Sequence, residues 1–335
     1  MEAAAAPSQS PIKRTRIGPT DLEQILQIGR EAMRRTKKGD EDASKTSSTE
    51  DRRFREMFGC GVMVAHALWN RLDDDGSFES RSIEDMMRAL IFMKSYGKEG
   101  TISTMVGTID EKTYRKRLWP MLGAIAALES TVVSLVHTAS CMLSSILFLY
   151  FYLSAFLQIV WEDRFTGDLG NDCLVSIDGT DFRIQSGYGR KFFSHKFKGS
   201  GLRYEVALCI LTGHIVWING PYEPGKWNDI AIFRNSLISF LGPHERVEAD
   251  DGYVGEAPQK VKCPCSFTNP EDTLQMQELV RSRHETVNKR FKQWGCLLNR
   301  FRHDIGKHGD VFRSVAVVTQ LALLHGEPLF EVQYE

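Results

Sequence analysis

The run Cys173-Leu174-Val175-Ser176-Ile177 leads straight into Asp178-Gly179-Thr180-Asp181. A short apolar run that breaks on an acid and a glycine predicts a buried strand ending in a tight turn. Such a turn would hold the Asp178 carboxylate on a rigid strand tip facing a cleft. Hard divalent cations need that placement, because Mg²⁺ tolerates little geometric error. The same letters also suit an ordinary turn, since Asp-Gly is common turn chemistry. Further acids arriving at the same place would separate the two readings.

Two such acids stand downstream. Asp250 closes the short strand predicted over Arg246 to Asp250, within Glu248-Ala249-Asp250-Asp251-Gly252-Tyr253. Glu285 falls on a long helix predicted from Thr273 to Trp294. Two strand-end aspartates and a helical glutamate can converge on two metal ions, the arrangement used in phosphodiester chemistry. Asn288, Lys289 and Lys292 follow Glu285 at helical spacing and share its face, with Arg290 beside them. Residues 281–313 carry nine Lys and Arg against three Asp and Glu. In a chain of net charge −1, a local basic excess is the footprint that holding DNA requires. An amphipathic surface helix with one glutamate would give the same spacing.

The texture of the chain divides it into four parts. Residues 1–50 read as a disordered region with basic clusters at 13–16 and 34–38, and Leu22 to Met33 as a short helix within it. The clusters fit nuclear import, nucleic-acid contact or plain solvated charge. Residues 51–129 read as helical: an amphipathic pair from Phe54 to Leu72 broken near Gly59, a helix capped by Ser82, a short one over 101–107, and a third capped by Asp110. Three short helices with a basic last one resemble a helix-turn-helix, and equally an ordinary bundle with a solvated face. Residues 130–161 contain no Asp, Glu, Lys or Arg. By length and hydropathy they pass as a transmembrane helix, but their position between a soluble module and a strand bearing polar chemistry argues for an insertion or translated intron. From residue 162 to 335 strands and helices alternate, with a hairpin at Thr212-Gly213-His214 and a last helix from Val311 to Leu324. Seven cysteines, an odd number at irregular spacing, fit a reducing compartment. The pair Cys263-Pro264-Cys265 has no second Cys or His pair at matching spacing, which argues against zinc.

The segments Ile177-Asp178-Gly179-Thr180, Gly220 to Asp229, Ala249-Asp250-Asp251-Gly252-Tyr253 and Arg283-His284-Glu285-Thr286-Val287-Asn288 with Lys292 together resemble the DDE superfamily endonucleases of the PIF/Harbinger type. The resemblance implies an α/β fold: an RNase H-like catalytic core, a mixed sheet with flanking helices, preceded by the helical helix-turn-helix-like module. It implies a transposase-like nuclease in which Asp178, Asp250 and Glu285 bind Mg²⁺ or Mn²⁺ and cleave DNA. Asp229 and Asp251 would be accessory acids, and Asn288, Lys289, Arg290 and Lys292 the DNA-binding face. It implies a nuclear protein with DNA, a Myb-like DNA-binding protein and a second copy of the chain as partners. The competing readings are a domesticated DNA- or chromatin-binding protein that does not cleave, and a membrane-associated protein resting on residues 130–161 alone.

Overall fold

The computed structural model describes residues 20–33, 48–74, 81–129, 159, 161–165, 173–266 and 271–332. The first part is helical: α1 (Asp21–Ala32), α2 (Ser48–Phe58), α3 (Val62–Asp74), α4 (Ile83–Ser95), α5 (Glu99–Ile102) and α6 (Glu111–Ala127). The predicted caps form. Ser82 accepts from the Asp85 amide at the start of α4, and Asp110 accepts from Thr113 at the start of α6. The expectation of disorder through residue 50 needs correction for α1. Thr20 and Glu23 form a capping box, Ile25 and Leu26 are buried, and Gly29 lies so close to the Phe54 ring that a Cβ there would sit 2.7 Å from it. The helix is therefore part of the helical core. The basic last helix, α6, has lost part of its charge to ion pairs, since Arg115 bridges Glu99 and Glu111.

The second part is a six-stranded mixed sheet: β1 (Cys173–Arg183), β2 (Phe193–Ser194), β3 (Gly199–Cys209), β4 (Ile215–Tyr222), β5 (Arg246–Glu248) and β6 (Val261–Lys262). β1 is central. It pairs antiparallel with β3, which pairs with β4 through the expected hairpin, and parallel with β5, which pairs with β6. Strand alternation sorts β1 into two faces. Val175 and Ile177 pack with Phe233, Leu237 and Val247 on one side, which α7 (Asp229–Asn235) covers. Phe182 packs with Tyr204, Val287, Phe291 and Phe312 on the other, where α8 (Glu271–Lys292) and α10 (His308–Leu324) lie, with α9 (Gly295–Leu298) between them. α10 is buried on nearly all sides. Phe312 stacks on Tyr204 of the sheet at 3.9 Å between ring centroids, and Ser314 donates to the Leu122 carbonyl of α6. It joins sheet and helical part into one hydrophobic core.

One expectation about β1 is overturned. The strand does not end in a turn at Asp178-Gly179; it runs through both to Arg183, held by β3 along its whole length.

Residues 130–158 and 160, most of the apolar block, lie outside the described residues, as do 1–19 and 34–47. Its borders are described. Glu129 and Ile159 form an isolated parallel bridge, so the chain leaves and re-enters at neighbouring points. Glu129 pairs with Arg313 at 2.8 Å, and Trp161 packs edge-on against Trp217 of β4. Among the described residues no helix is long and apolar enough to cross a membrane.

A chain in which Glu129 is joined directly to Trp161 should fold, with a melting temperature within a few degrees of the full protein and at least equal solubility. Loss of the cooperative transition would show that the block is part of the core. A second test concerns Glu205, fully buried on β3 with its Oε1 accepting from the Trp217 indole at 3.2 Å. Burial pushes its carboxyl up to about 8. Between its ordinary value near 4.5 and that value, the folded chain keeps a proton that the unfolded chain has lost. Its contribution to stability therefore falls as pH rises through that window. In urea titrations at pH 5, 6.5 and 8, Glu205→Gln should gain stability on wild type with each step; a constant difference would contradict the assignment.

Candidate metal and nucleic-acid site

Asp178 lies on the β1 face covered by α8. The two elements run side by side in register. His284 Nε2 meets Ser176 Oγ at 2.8 Å, and one helical turn on, Asn288 Nδ2 donates to Asp178 Oδ2 at 3.1 Å. Four helical residues rise about 6 Å and two strand residues about 6.6 Å, so the two contacts reinforce each other. The helix is anchored by its neighbour Arg283, whose guanidinium donates to the carbonyls of Ile210 and Phe330. His284 is buried, which holds its imidazole down at about 4 and hence neutral at pH 7.

The parallel pairing of β1 with β5 brings in the second acid. Ser176 stands opposite Glu248, so Asp178 within β1 and Asp250 just past the end of β5, each two residues further on, come to the same level. Adjacent strands are about 4.8 Å apart. Asp250 is exposed and its Oδ1 accepts from the Gly252 amide at 2.9 Å, which starts the short 3₁₀ helix after β5. Burial is the main force pushing the Asp178 carboxyl above its ordinary range; the Lys196 ammonium opposes it and the Asp250 charge adds to it. Lys196 reaches in from beyond β2 and donates to the Gly179 carbonyl. Asp178, Lys196, Asn288 and Lys292 line one cleft of about 320 Å³.

Glu285 is exposed on α8, one turn before Asn288. It is Asn288, and not Glu285, whose side chain touches Asp178. Among the described residues, Asp178, Asp250 and Glu285 do not form a group whose oxygens all lie within 4.8 Å of one another. Lys289 is exposed on the same side of the helix, whereas Arg290 is turned away, donating to the Glu327 and Pro328 carbonyls at 2.7 and 3.3 Å. The basic excess of residues 281–313 is thus partly internal: Arg283 and Arg290 hold main-chain carbonyls, and Arg313 is paired with Glu129.

The remaining acids belong to the opposite face of β1. Asp229 follows the Asn228 cap at the start of α7 and packs on Gly179, where a Cβ would fall 1.9 Å from its Oδ1. That contact is the reason for glycine here, in place of the turn that the sequence suggests. Arg203 on β3 grips Asp181 through two bonds of 2.7 and 3.0 Å and reaches Asp229 at 3.2 Å. Burial still pushes the Asp229 carboxyl upward, against Lys196 and Arg203. Asp251 points elsewhere, its Oδ1 accepting from the Cys265 amide. Lys196 and Arg203 were not singled out by the sequence. Only their pairing across β1 reveals them, and no local motif carries that signal.

The carboxylates of Asp178 and Asp250, with the Asn288 amide, are hard oxygen donors. Two acids emerging together, one of them desolvated, fit a divalent cation that would relieve their mutual repulsion. The family model described as DDE superfamily endonuclease matches residues 177–325, from within β1 to just past the end of α10. Comparison with curated proteins and with solved structures gives no match.

Gly179→Ala should cost about 1–3 kcal/mol, as overpacking does, because the added methyl meets the Asp229 carboxylate. It should also displace α7. Urea denaturation of Gly179→Ala, Asp229→Ala and the double variant measures this, with the cost of the double variant smaller than the sum of the two single costs. Equal stability of Gly179→Ala and wild type would contradict the packing argument.

Proposed function

We propose that this protein is a divalent-metal-dependent DNA endonuclease of the transposase type, of PIF/Harbinger character. The single observation that supports it most is the placing of Asp178 and Asp250 at one level on adjacent parallel strands, beside a helix whose Asn288 already holds one oxygen of Asp178. Asp178 and Asp250 would hold Mg²⁺ or Mn²⁺, with Glu285 supplying a further carboxylate from the exposed face of α8. When held there, such a cation would supply water activation and stabilisation of the leaving oxygen. The chain's own groups do the rest. Asn288 fixes one oxygen of the Asp178 carboxylate. Lys196 and Lys292 offer ammonium groups in the cleft at the point where a phosphate would arrive, and Lys289 extends that charge along the helix. Asp229 and Asp251 stand outside this constellation.

DNA is the substrate in this reading and the nucleus its place of action. A Myb-like DNA-binding protein and a second copy of the chain are the further partners. The alternative, a DNA- or chromatin-binding protein that has ceased to cleave, keeps the same basic face and differs only in the chemistry at Asp178.

Supercoiled plasmid should be nicked by the wild-type protein with Mg²⁺ or Mn²⁺ and not with EDTA, and Asp178→Asn should reduce the rate at least about a hundredfold while retaining DNA binding. Wild-type binding without divalent-dependent nicking would favour the alternative. Replacing Lys289 and Lys292 by Ala should weaken binding to all sequences alike and reduce the salt slope by about one unit for each lost phosphate contact. An unchanged slope would show that this face is merely solvated.

A further inference from the structure

Pro264 separates two thiols at the point where β6 leaves the sheet, and Asp251 opens the 3₁₀ turn just after Asp250. The sulfurs of Cys263 and Cys265 and a carboxylate oxygen of Asp251 all lie within 4.8 Å of one another. Among the described residues this is the one group of three metal-ligating side chains that meets this spacing. The sequence offers only a Cys-Pro-Cys with no second Cys or His pair; folding supplies the third donor from another loop. That loop is already tied in place, because Asp251 Oδ1 accepts from the Cys265 backbone amide at 3.1 Å. Cys263 is buried, while Cys265 and Asp251 are exposed.

Two thiols and one carboxylate are a donor set for a thiophilic ion. Thiolate sulfur suits Zn²⁺, at about 2.3 Å, and Mg²⁺ poorly. We propose that Asp251, Cys263 and Cys265 form a binding site for a Zn²⁺-class cation, separate from the oxygen site at Asp178 and Asp250. Binding displaces the thiol protons to solvent and forms two metal–sulfur bonds and one metal–oxygen bond, with no change of oxidation state. The exposed side takes water as the fourth ligand, which makes the ion exchangeable. The cation ties the turn that begins at Asp250 to the exit of β6, and so stiffens the segment that carries Asp250. The site uses residues outside the proposed nuclease chemistry, so either reading can fail alone.

Titration of the reduced full-length protein with Co²⁺ tests it. The expected result is a thiolate-to-cobalt charge-transfer band that saturates at one equivalent and is bleached by Zn²⁺. Cys265→Ser, at an exposed position and checked for its fold by circular dichroism, should lose the band. Asp251→Asn should weaken Co²⁺ binding at least about tenfold. Asp178→Asn should leave the band unchanged. No band in the wild type, or an unchanged band in Cys265→Ser, would overturn the proposal.

Discussion

One buried guanidinium determines which acids of this sheet are available for chemistry. Arg203 donates to both oxygens of Asp181 and reaches Asp229, so Asp181 is paired from within the protein and Asp229 is drawn to the same guanidinium. A buried pair of this kind is strongly destabilising to break from one side, because the partner charge is left desolvated. Gly179 is part of the same arrangement, since only glycine lets Asp229 approach β1 closely enough to reach Arg203. Asp178 lies on the opposite face with an amide and an ammonium beside it and one neighbouring acid just past the end of the adjacent strand. The two-residue alternation of β1 therefore puts Asp181, paired with Arg203, and Asp178, beside Asn288, on opposite faces of the strand.

The second dependence is the register between α8 and β1. Arg283 fixes the helix to the ends of β3 and the C-terminal segment, His284 sits neutral under Ser176, and Asn288 reaches Asp178. Three side chains close together in sequence thus have three separate duties, and only the last faces the cleft. A divalent cation at Asp178 and Asp250 would draw on a site whose geometry the apolar contacts of Val287 and Phe291 already hold.

Much of this was legible in the sequence, and the exceptions have physical reasons. Alternation and apolar spacing revealed the longer strands, the hairpin and the capped helices, because those signals are local. Asp178-Gly179 reads locally as a turn, because the close approach of Asp229 that demands glycine comes from a residue fifty positions away. Arg290 looks like a DNA contact by spacing, yet it bonds the Glu327 and Pro328 carbonyls, since helical period gives a face but not what covers it. Lys196 and Arg203 carried no motif at all. The helix over 21–32 was visible by its spacing, but its place in the core depends on Gly29 meeting Phe54, a tertiary contact.

The central claim is that Asp178 and Asp250 jointly bind a hard divalent cation. Crystals of the protein grown with Mn²⁺ and measured at a wavelength sensitive to manganese test it most directly. The account predicts an anomalous peak in contact with carboxylate oxygens of both Asp178 and Asp250, absent from Asp178→Asn crystals grown in the same way. Full occupancy of Mn²⁺ elsewhere with no peak between these two carboxylates, or an equal peak in Asp178→Asn, would contradict it.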